Sequence, residues 1–444
     1  MPPQDRPDPS LRSADAPRVE DSATSGTAPR GDQRTSIRSG AHRKRAVPRK
    51  AAPPRRGARK AGTPSRQQRA KRRAGSTKPP TKGRSSRRSA ARTRRLDTLS
   101  DPALYGKLRT LTVGAHRIAP GQSRHVNLKV SETMLGRALH MPVTVVNGGQ
   151  PGPTVFLAAA IHGDELNGVQ VIRTLITRLS AAPLRGAVLA VPIVNVEGLL
   201  HGERYLRDRR DLNRNFPGDP QGNLAERLAA SVMDLVRQCD VAIDLHTASI
   251  GRCNMSHVRG DLRQPDARLL AKAFGAEVTI DRPGHGSSLR GAASDAGIPT
   301  LTFEGGEAHR FEPQVVSTAV LGISNVLTAL RMVDGVVIEP PFRIIVRQSL
   351  WVRAPKGGIL LMHVSPREVV HQGQVIAVLS TPFGTEEEAI RAPFTGLVLG
   401  ITTSPLAHPG TPICHMIKLE KTLAKVSRVL GSAPPPAGPM VSDR

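Results

Sequence analysis

His162, Glu165 and His246 are the residues of this chain whose types and spacing are best suited to chemistry. The first two lie in Ala159-Ala160-Ile161-His162-Gly163-Asp164-Glu165, the third in Ile243-Asp244-Leu245-His246. Each histidine follows an apolar run, Val155 to Ile161 and Val241 to Leu245, that reads as a buried strand. Glu165 stands three residues after His162, where a helix is predicted to begin. Two imidazoles and a carboxylate suit zinc, and three ligands leave one coordination position open for water or substrate. That is the catalytic arrangement, and it points to a zinc hydrolase. His162 and Glu165 alone are a weak signal, because Asp164 and Glu165 at a helix start also suit the helix dipole.

Two further segments raise the signal. Arg204-Tyr205-Leu206-Arg207-Asp208-Arg209-Arg210-Asp211-Leu212-Asn213-Arg214 is too polar for a core element and too poor in Ser and Gly for a linker. Clustered arginines with an asparagine suit a planar carboxylate, because a guanidinium donates two parallel hydrogen bonds. A solvated charged loop is the competing explanation. In Thr300-Leu301-Thr302-Phe303-Glu304-Gly305-Gly306-Glu307 a carboxylate ends an apolar strand before paired glycines, which suits a general base beside an open site. An ordinary strand-to-loop boundary would read the same way. His285, in Gly284-His285-Gly286-Ser287-Ser288-Leu289-Arg290, resembles part of a substrate-facing loop, and no other histidines show spacing for a second metal.

The elements that must position these residues alternate between strand and helix. Strands are predicted at 143–146, 154–160, 187–194, 241–246 and 300–303, and helices at 166–179, 224–237, 266–274 and 314–332. Val169, Ile172, Leu175, Ile176 and Leu179 form one apolar stripe that would pack on a sheet. The alternation predicts an α/β domain with a mixed or largely parallel sheet flanked by helices. Ligands in such sheets bind at the carboxyl ends of strands, where His162 and His246 both fall.

Beyond about residue 336 the pattern changes to short β runs broken by Gly and Pro. Arg353-Ala354-Pro355-Lys356-Gly357-Gly358-Ile359-Leu360 is echoed by Arg391-Ala392-Pro393-Phe394-Thr395-Gly396-Leu397-Val398. Two such units would close on each other as a small all-β barrel or sandwich over 337–422. The hydrolase domain is then 99–336, with a flexible tail at 423–444. Residues 1–98 are expected to be disordered, being poor in large apolar residues. Residues 1–100 hold 28 Lys and Arg against 7 Asp and Glu, so most of the net charge of +28 lies there. Residues 41–95 contain no acid and offer non-specific contact with polyanions, or serve as a solvated tail, or precede a later start of translation. Three widely spaced cysteines without a CxxC imply no disulfide framework and suggest a reducing, cytoplasmic setting. No apolar run is long enough for a membrane span. Oligomeric state is not encoded legibly.

The set His162-x-x-Glu165, Asp211-Leu212-Asn213-Arg214, His246 and Glu304, in this order and spacing, resembles the succinylglutamate desuccinylase/aspartoacylase family of zinc-carboxypeptidase-like hydrolases. The likeness runs from about residue 110 to 420. It implies one Zn2+ per chain, held by His162, Glu165 and His246, with Glu304 as general base and acid. Arg204 matches the carbonyl-polarising arginine, although a longer interval to Asp211 leaves Arg207 as a rival. Asn213 and Arg214 would hold the substrate carboxylate, and Asp211 would orient His162. The C-terminal unit resembles the β domain appended in this family, which implies a cap or binding lobe that restricts access to the site. Its other likeness, to biotinyl/lipoyl modules, implies no carrier role here, because Pro382-Phe383-Gly384-Thr385-Glu386-Glu387-Glu388 has no lysine to modify. The expected reaction is hydrolysis of the amide of an N-acyl amino acid or similar small carboxylate. The alternatives are a metallocarboxypeptidase acting on short peptides and a non-catalytic polyanion-associated protein retaining the fold.

Overall fold

The computed structural model describes residues 108–180 and 183–431. The expected tail at 1–98 and its basic segment 41–95 lie outside these residues. After the hairpin β1 (Leu111–Val113) and β2 (His116–Ile118) come β3 (Ser123–Glu132), β4 (Ala138–Asn147), β5 (Gln150–Ala159), β6 (Arg185–Val191) and β7 (Val241–His246). They are followed by β8 (Arg252–Gly260), β9 (Val278–Asp281) and β10 (Thr300–Gly306). The sheet runs β3-β4-β6-β5-β7-β10-β8, with β9 beside β8. Strands β6, β5, β7 and β10 are mutually parallel, whereas β4 and β8 run antiparallel to their neighbours β6 and β10.

Parallel strands such as β7, buried at every position, need cover on both faces. Helices α1 (Asn167–Ser180), α4 (Pro265–Phe274) and α6 (Pro313–Ala329) supply one face. Helices α3 (Leu224–Val236) and α5 (Leu289–Asp295) supply the other, and short α2 (Val196–His201) follows β6. The expected strand at 241–246 is matched residue for residue, and the expected helices are met to within about three residues at each end. Strands β3, β8 and β9 and helix α5 were not predicted. Polar residues occupy much of β8, as in Arg252-Cys253-Asn254-Met255-Ser256-His257, and hide its strand character.

The C-terminal region contains β11 (Ile344–Val346), β12 (Leu350–Arg353), β13 (Gly358–Met362), β14 (Val369–Val370), β15 (Val375–Ser380), β16 (Glu387–Arg391), β17 (Gly396–Thr402), β18 (Leu406–Ala407) and β19 (Pro412–Lys418). The two sequence-related units interlock. Strands β12 and β14 of the first pair with β19 and β17 of the second, and β16 and β18 of the second pair with β15 and β13 of the first. Each unit's edges are thereby covered by the other. One of the two resulting sheets is continuous with the central sheet, because β17 pairs with β8 at Gly400, Ile401 and Thr402. Residues 423–431, expected within a flexible tail, form helix α7 (Leu423–Gly431), with Val426 buried in the core beside β17. No helix among the described residues is long and apolar enough to cross a membrane. Cys239, Cys253 and Cys414 are all free.

Candidate active site

The carboxyl ends of β5 and β7 bring three donor groups together. His162, Glu165 and His246 are buried, and one ligand atom from each lies within 4.8 Å of the other two. The chain leaves β5 through Ala160, whose φ of 48° is uncommon for a residue with a Cβ. At Gly163 it touches α2, where an added Cβ would sit 2.1 Å from the Gly198 carbonyl carbon. Only glycine fits that approach. The Gly163 N–H donates to the Arg204 carbonyl at 3.3 Å, and so does the Asn195 side chain, which fixes the start of the arginine-rich loop.

Each imidazole faces carboxylates through both nitrogens. His162 Nδ1 lies 2.8 Å from Glu165 Oε1, and its Nε2 lies 3.2 Å from Asp211 Oδ1. His246 Nδ1 lies 2.8 Å from Glu165 Oε2, and its Nε2 lies 2.8 Å from Asp244 Oδ2. A neutral imidazole has one N–H. If Nε2 donates to its aspartate, the Nδ1 lone pair faces a Glu165 oxygen, and a cation must separate them. The donor set therefore fits a divalent metal, with Asp211 and Asp244 placed against the other ring nitrogens. Without one, burial opposes charge on both rings, yet Glu165 and the aspartates raise both imidazole pKa values. Burial likewise disfavours ionised Glu165, but the two histidines hold it well below the usual carboxylate range.

Glu304 stands beside His246, its register partner on the adjoining parallel strand. The β10–β8 register shifts between Glu304 and Gly306. Asn254 donates to Glu304 Oε2 at 3.2 Å, and Arg259 lies 3.5 Å from Oε1. Glu307 lies apart, accepting from the Thr403 hydroxyl at 2.6 Å.

Arg204 is half-buried and donates to Glu165 Oε1 at 2.5 Å, whereas Arg207 is exposed and lies 3.9 Å from Glu203. Asp211 caps the 3-10 turn Leu212–Arg214 by accepting from the Asn213 N–H at 2.9 Å. The Asn213 side-chain oxygen is engaged by the Leu289 N–H at 2.9 Å, which ties the turn to α5 and leaves its amide N–H groups for a ligand. His162, Glu165, His246, Glu304, Arg204, Asn213 and Arg214 all border one cavity of about 490 Å³. Asp211 stands behind His162. The expected residues are thus brought together, with Arg207 outside.

Several cavity residues were missed in the sequence. Asp244 had a usable signal, since Asp244-Leu245-His246 on a strand puts the first and third side chains on one face. Arg290 lies in the run from Gly284 that reads as a substrate-facing loop, and His285 and Ser288 of that run border the cavity with it; Arg252, Arg259 and Trp351 had no local signal, because their approach depends on β8 and the C-terminal sheets. Burial and nearby Arg259 push the Arg290 guanidinium down to about 10, and it donates to the Thr302 hydroxyl at 3.1 Å and the Arg282 carbonyl at 2.6 Å.

Residues 151–330 match the family model for the succinylglutamate desuccinylase/aspartoacylase catalytic domain. An N-alpha-acetyl-L-2,4-diaminobutyric acid deacetylase from Halomonas elongata is 34% identical over 256 residues, spanning 54% of this chain and 74% of that protein. The chain belongs to the succinylglutamate desuccinylase/aspartoacylase family. A succinylglutamate desuccinylase from Pseudomonas aeruginosa is 30% identical over 46% of this chain and 66% of its own length. Solved structures of the family share the mixed α/β fold. A succinylglutamate desuccinylase from Silicibacter sp. TM1040 superposes with a TM-score of 0.62 at 21% identity, covering 67% of this chain and 95% of that one. The product-bound ectoine utilization protein from Ruegeria pomeroyi gives 0.59 at 22% identity, with the same coverage. The family is one of deacylating hydrolases.

Proposed function

We propose that this family member is a zinc-dependent deacylase that hydrolyses the amide of a small N-acyl amino acid or related carboxylate, on a zinc-carboxypeptidase-like scaffold. The observation that carries the reading is the convergence of His162, Glu165 and His246 beside Glu304 within one arginine-lined cavity. About 490 Å³ is room for an amino-acid derivative. The C-terminal sheets would act as a cap, since Trp351 on β12 reaches the cavity wall. Cytoplasmic location and the division at residue 336 remain part of this proposal, as does polyanion contact through residues 41–95.

His162, Glu165 and His246 would hold the zinc, which when bound lowers the pKa of water toward about 7 and polarises the scissile carbonyl. Glu304 would take the proton of the attacking water and return it to the leaving amine. Arg204 would donate to the oxygen that gains charge as the carbonyl becomes tetrahedral. Arg214, with the free Asn213 amide, would hold the substrate carboxylate and set the amide in line with the water. Asp211 and Asp244 would keep the imidazoles in the ligating tautomer.

The test is metal content together with hydrolysis of a panel of N-acyl amino acids and short peptides, for the wild type and Glu304→Ala. One zinc per chain, with activity lost but zinc retained in the variant, supports the reading. Preference for peptides would favour the carboxypeptidase alternative. Absence of zinc after reconstitution would favour a binding protein.

A further inference from the structure

A second cavity, of about 530 Å³, lies on the opposite face of the strands that carry Glu304. Successive side chains of a strand point to opposite faces. Accordingly, Thr302 and Glu304 of β10 border the catalytic cavity, whereas Phe303 borders the second. On β8, Arg252 and Arg259 border the first, and Cys253 and Met255 the second. Asn254 borders both. Its register partners on the two adjoining strands are glycines, Gly306 of β10 and Gly400 of β17. A Cβ on Gly400 would sit 2.5 Å from Asn254 Oδ1. The side chain that donates to Glu304 Oε2 is thus also part of the second cavity's wall.

The second cavity combines apolar walls with an unbalanced negative charge. Met255, Phe303, Val315, Ile338 and Pro340 supply apolar surface. Arg367, the one basic residue on the lining, is spent on Glu277, to which it donates twice, at 2.8 and 2.7 Å. Glu339 is paired with Arg343. Glu312, also on the lining, has no cationic partner among the described residues. Its Oε2 accepts from the Asn167 side-chain amide at 2.9 Å and from the Glu307 N–H at 2.7 Å, whereas its Oε1 makes no hydrogen bond with a described residue. Burial and the nearby Glu312 and Glu307 push the Cys253 thiol up to about 11, so the thiol adds no charge of its own. A carboxylate on a largely apolar wall, with only neutral donors, attracts a cation.

We propose that this second cavity binds a small apolar primary amine, with the ammonium on Glu312 and the hydrocarbon body against Met255 and Phe303. The body gains by leaving water, and the ammonium supplies the donor that Oε1 lacks. Building on the deacylase reading, occupancy lowers kcat. A ligand packed behind Asn254 keeps its amide on Glu304 Oε2, and a donor held on a carboxylate stabilises the charged form and makes it a weaker base.

The test titrates the zinc-loaded full chain by calorimetry with tryptamine, its neutral isostere tryptophol and its anionic isostere indole-3-propionate. Tryptamine should bind with a Kd of about 1 mM or tighter, and the other two at least about tenfold more weakly. Glu312→Gln leaves an oxygen to accept from Asn167 and Glu307 but removes the charge, and should weaken tryptamine at least about tenfold. Gln314→Glu, an exposed change on the lining, should tighten it about two- to fivefold, a gain that a folding defect does not produce. An amine bound to zinc in the catalytic cavity would ignore both substitutions. No saturable binding to the wild type, equal binding of the three probes, or an affinity unmoved by Glu312→Gln overturns the site. In hydrolysis of an N-acyl amino acid, saturating tryptamine should lower kcat at least about twofold with KM unchanged. Asn254→Ala should abolish that inhibition while binding tryptamine within about threefold of wild type. A rise in KM alone would put the amine in the catalytic cavity and overturn the proposal. If no N-acyl amino acid is hydrolysed, the deacylase reading falls, and the binding titrations still decide the site.

Discussion

The cavity has two unlike walls. On the wall formed by the ends of β5 and β7 the imidazoles and Glu165 are paired with one another: Glu165 lies between two imidazoles, and each imidazole is backed by an aspartate. On the wall formed by β8, α5 and Trp351, guanidinium groups outnumber carboxylates, and Arg252 lies over the Trp351 ring. The first wall carries the donor set proposed to hold zinc. The second carries the cavity's surplus of arginines. On the proposed reading, metal binding and substrate choice are separable, because they depend on different walls.

The largest effect that would break this separation comes from Glu165→Ala. Removing the buried carboxylate should abolish zinc retention and hydrolysis together, as seen by metal analysis after dialysis. A variant that kept stoichiometric zinc would show that the ligand set lies elsewhere. Next comes Glu304→Ala, expected to lower kcat by about 10² to 10⁴-fold with zinc retained. Zinc loss in this variant would mean that Glu304 belongs to the metal wall. A smaller change is predicted for Asp244→Asn, which leaves a carbonyl oxygen behind the His246 ring. Zinc affinity should fall by about 10- to 100-fold in a competition with a chelator, while the preference among substrates stays the same.

The smallest effect sharpens the other wall. His415, beneath Trp351, is pushed down to about 3 by burial and by Arg259 and Arg282. Its folded pKa is depressed, so below about 6.5 the unfolded chain binds a proton that the folded protein refuses. Its contribution to stability therefore falls as pH drops from about 6.5 toward 3. His415→Phe, which keeps a flat ring for the stack, should remove up to about 1.4 kcal/mol per pH unit from that slope. Urea unfolding between pH 4 and 7 measures it. An unchanged slope would mean that His415 is protonated in the fold, and the platform under Arg252 would then carry charge.

Much of the first wall was legible in the sequence, because local pattern and strand direction place it. Val155 to Ile161 and Val241 to Leu245 are apolar enough to be buried strands, and each ends in a histidine. The partnership of His162 with Asp211 and the place of Glu304 were expected from the family resemblance, and the geometry agrees with both contacts. The second wall was hidden. Arg252 and Trp351 lie about a hundred residues apart in sequence, on strands that were unpredicted or assigned to a separate domain. Their meeting depends on β17 pairing with β8, and on the Trp351 strand pairing with β19.

By itself, then, the sequence determined the residue types of the candidate metal site, the α/β order that carries them and the presence of two related β units. Those features rest on short-range physics: burial of apolar runs, strand alternation and the few side chains able to bind a cation. Only the tertiary structure decided that the β units interlock, that one of their sheets extends the central sheet, and that arginines from distant segments share a cavity. Those outcomes rest on pairing between strand edges and on the summed charge of residues far apart in the chain. No local pattern encodes either.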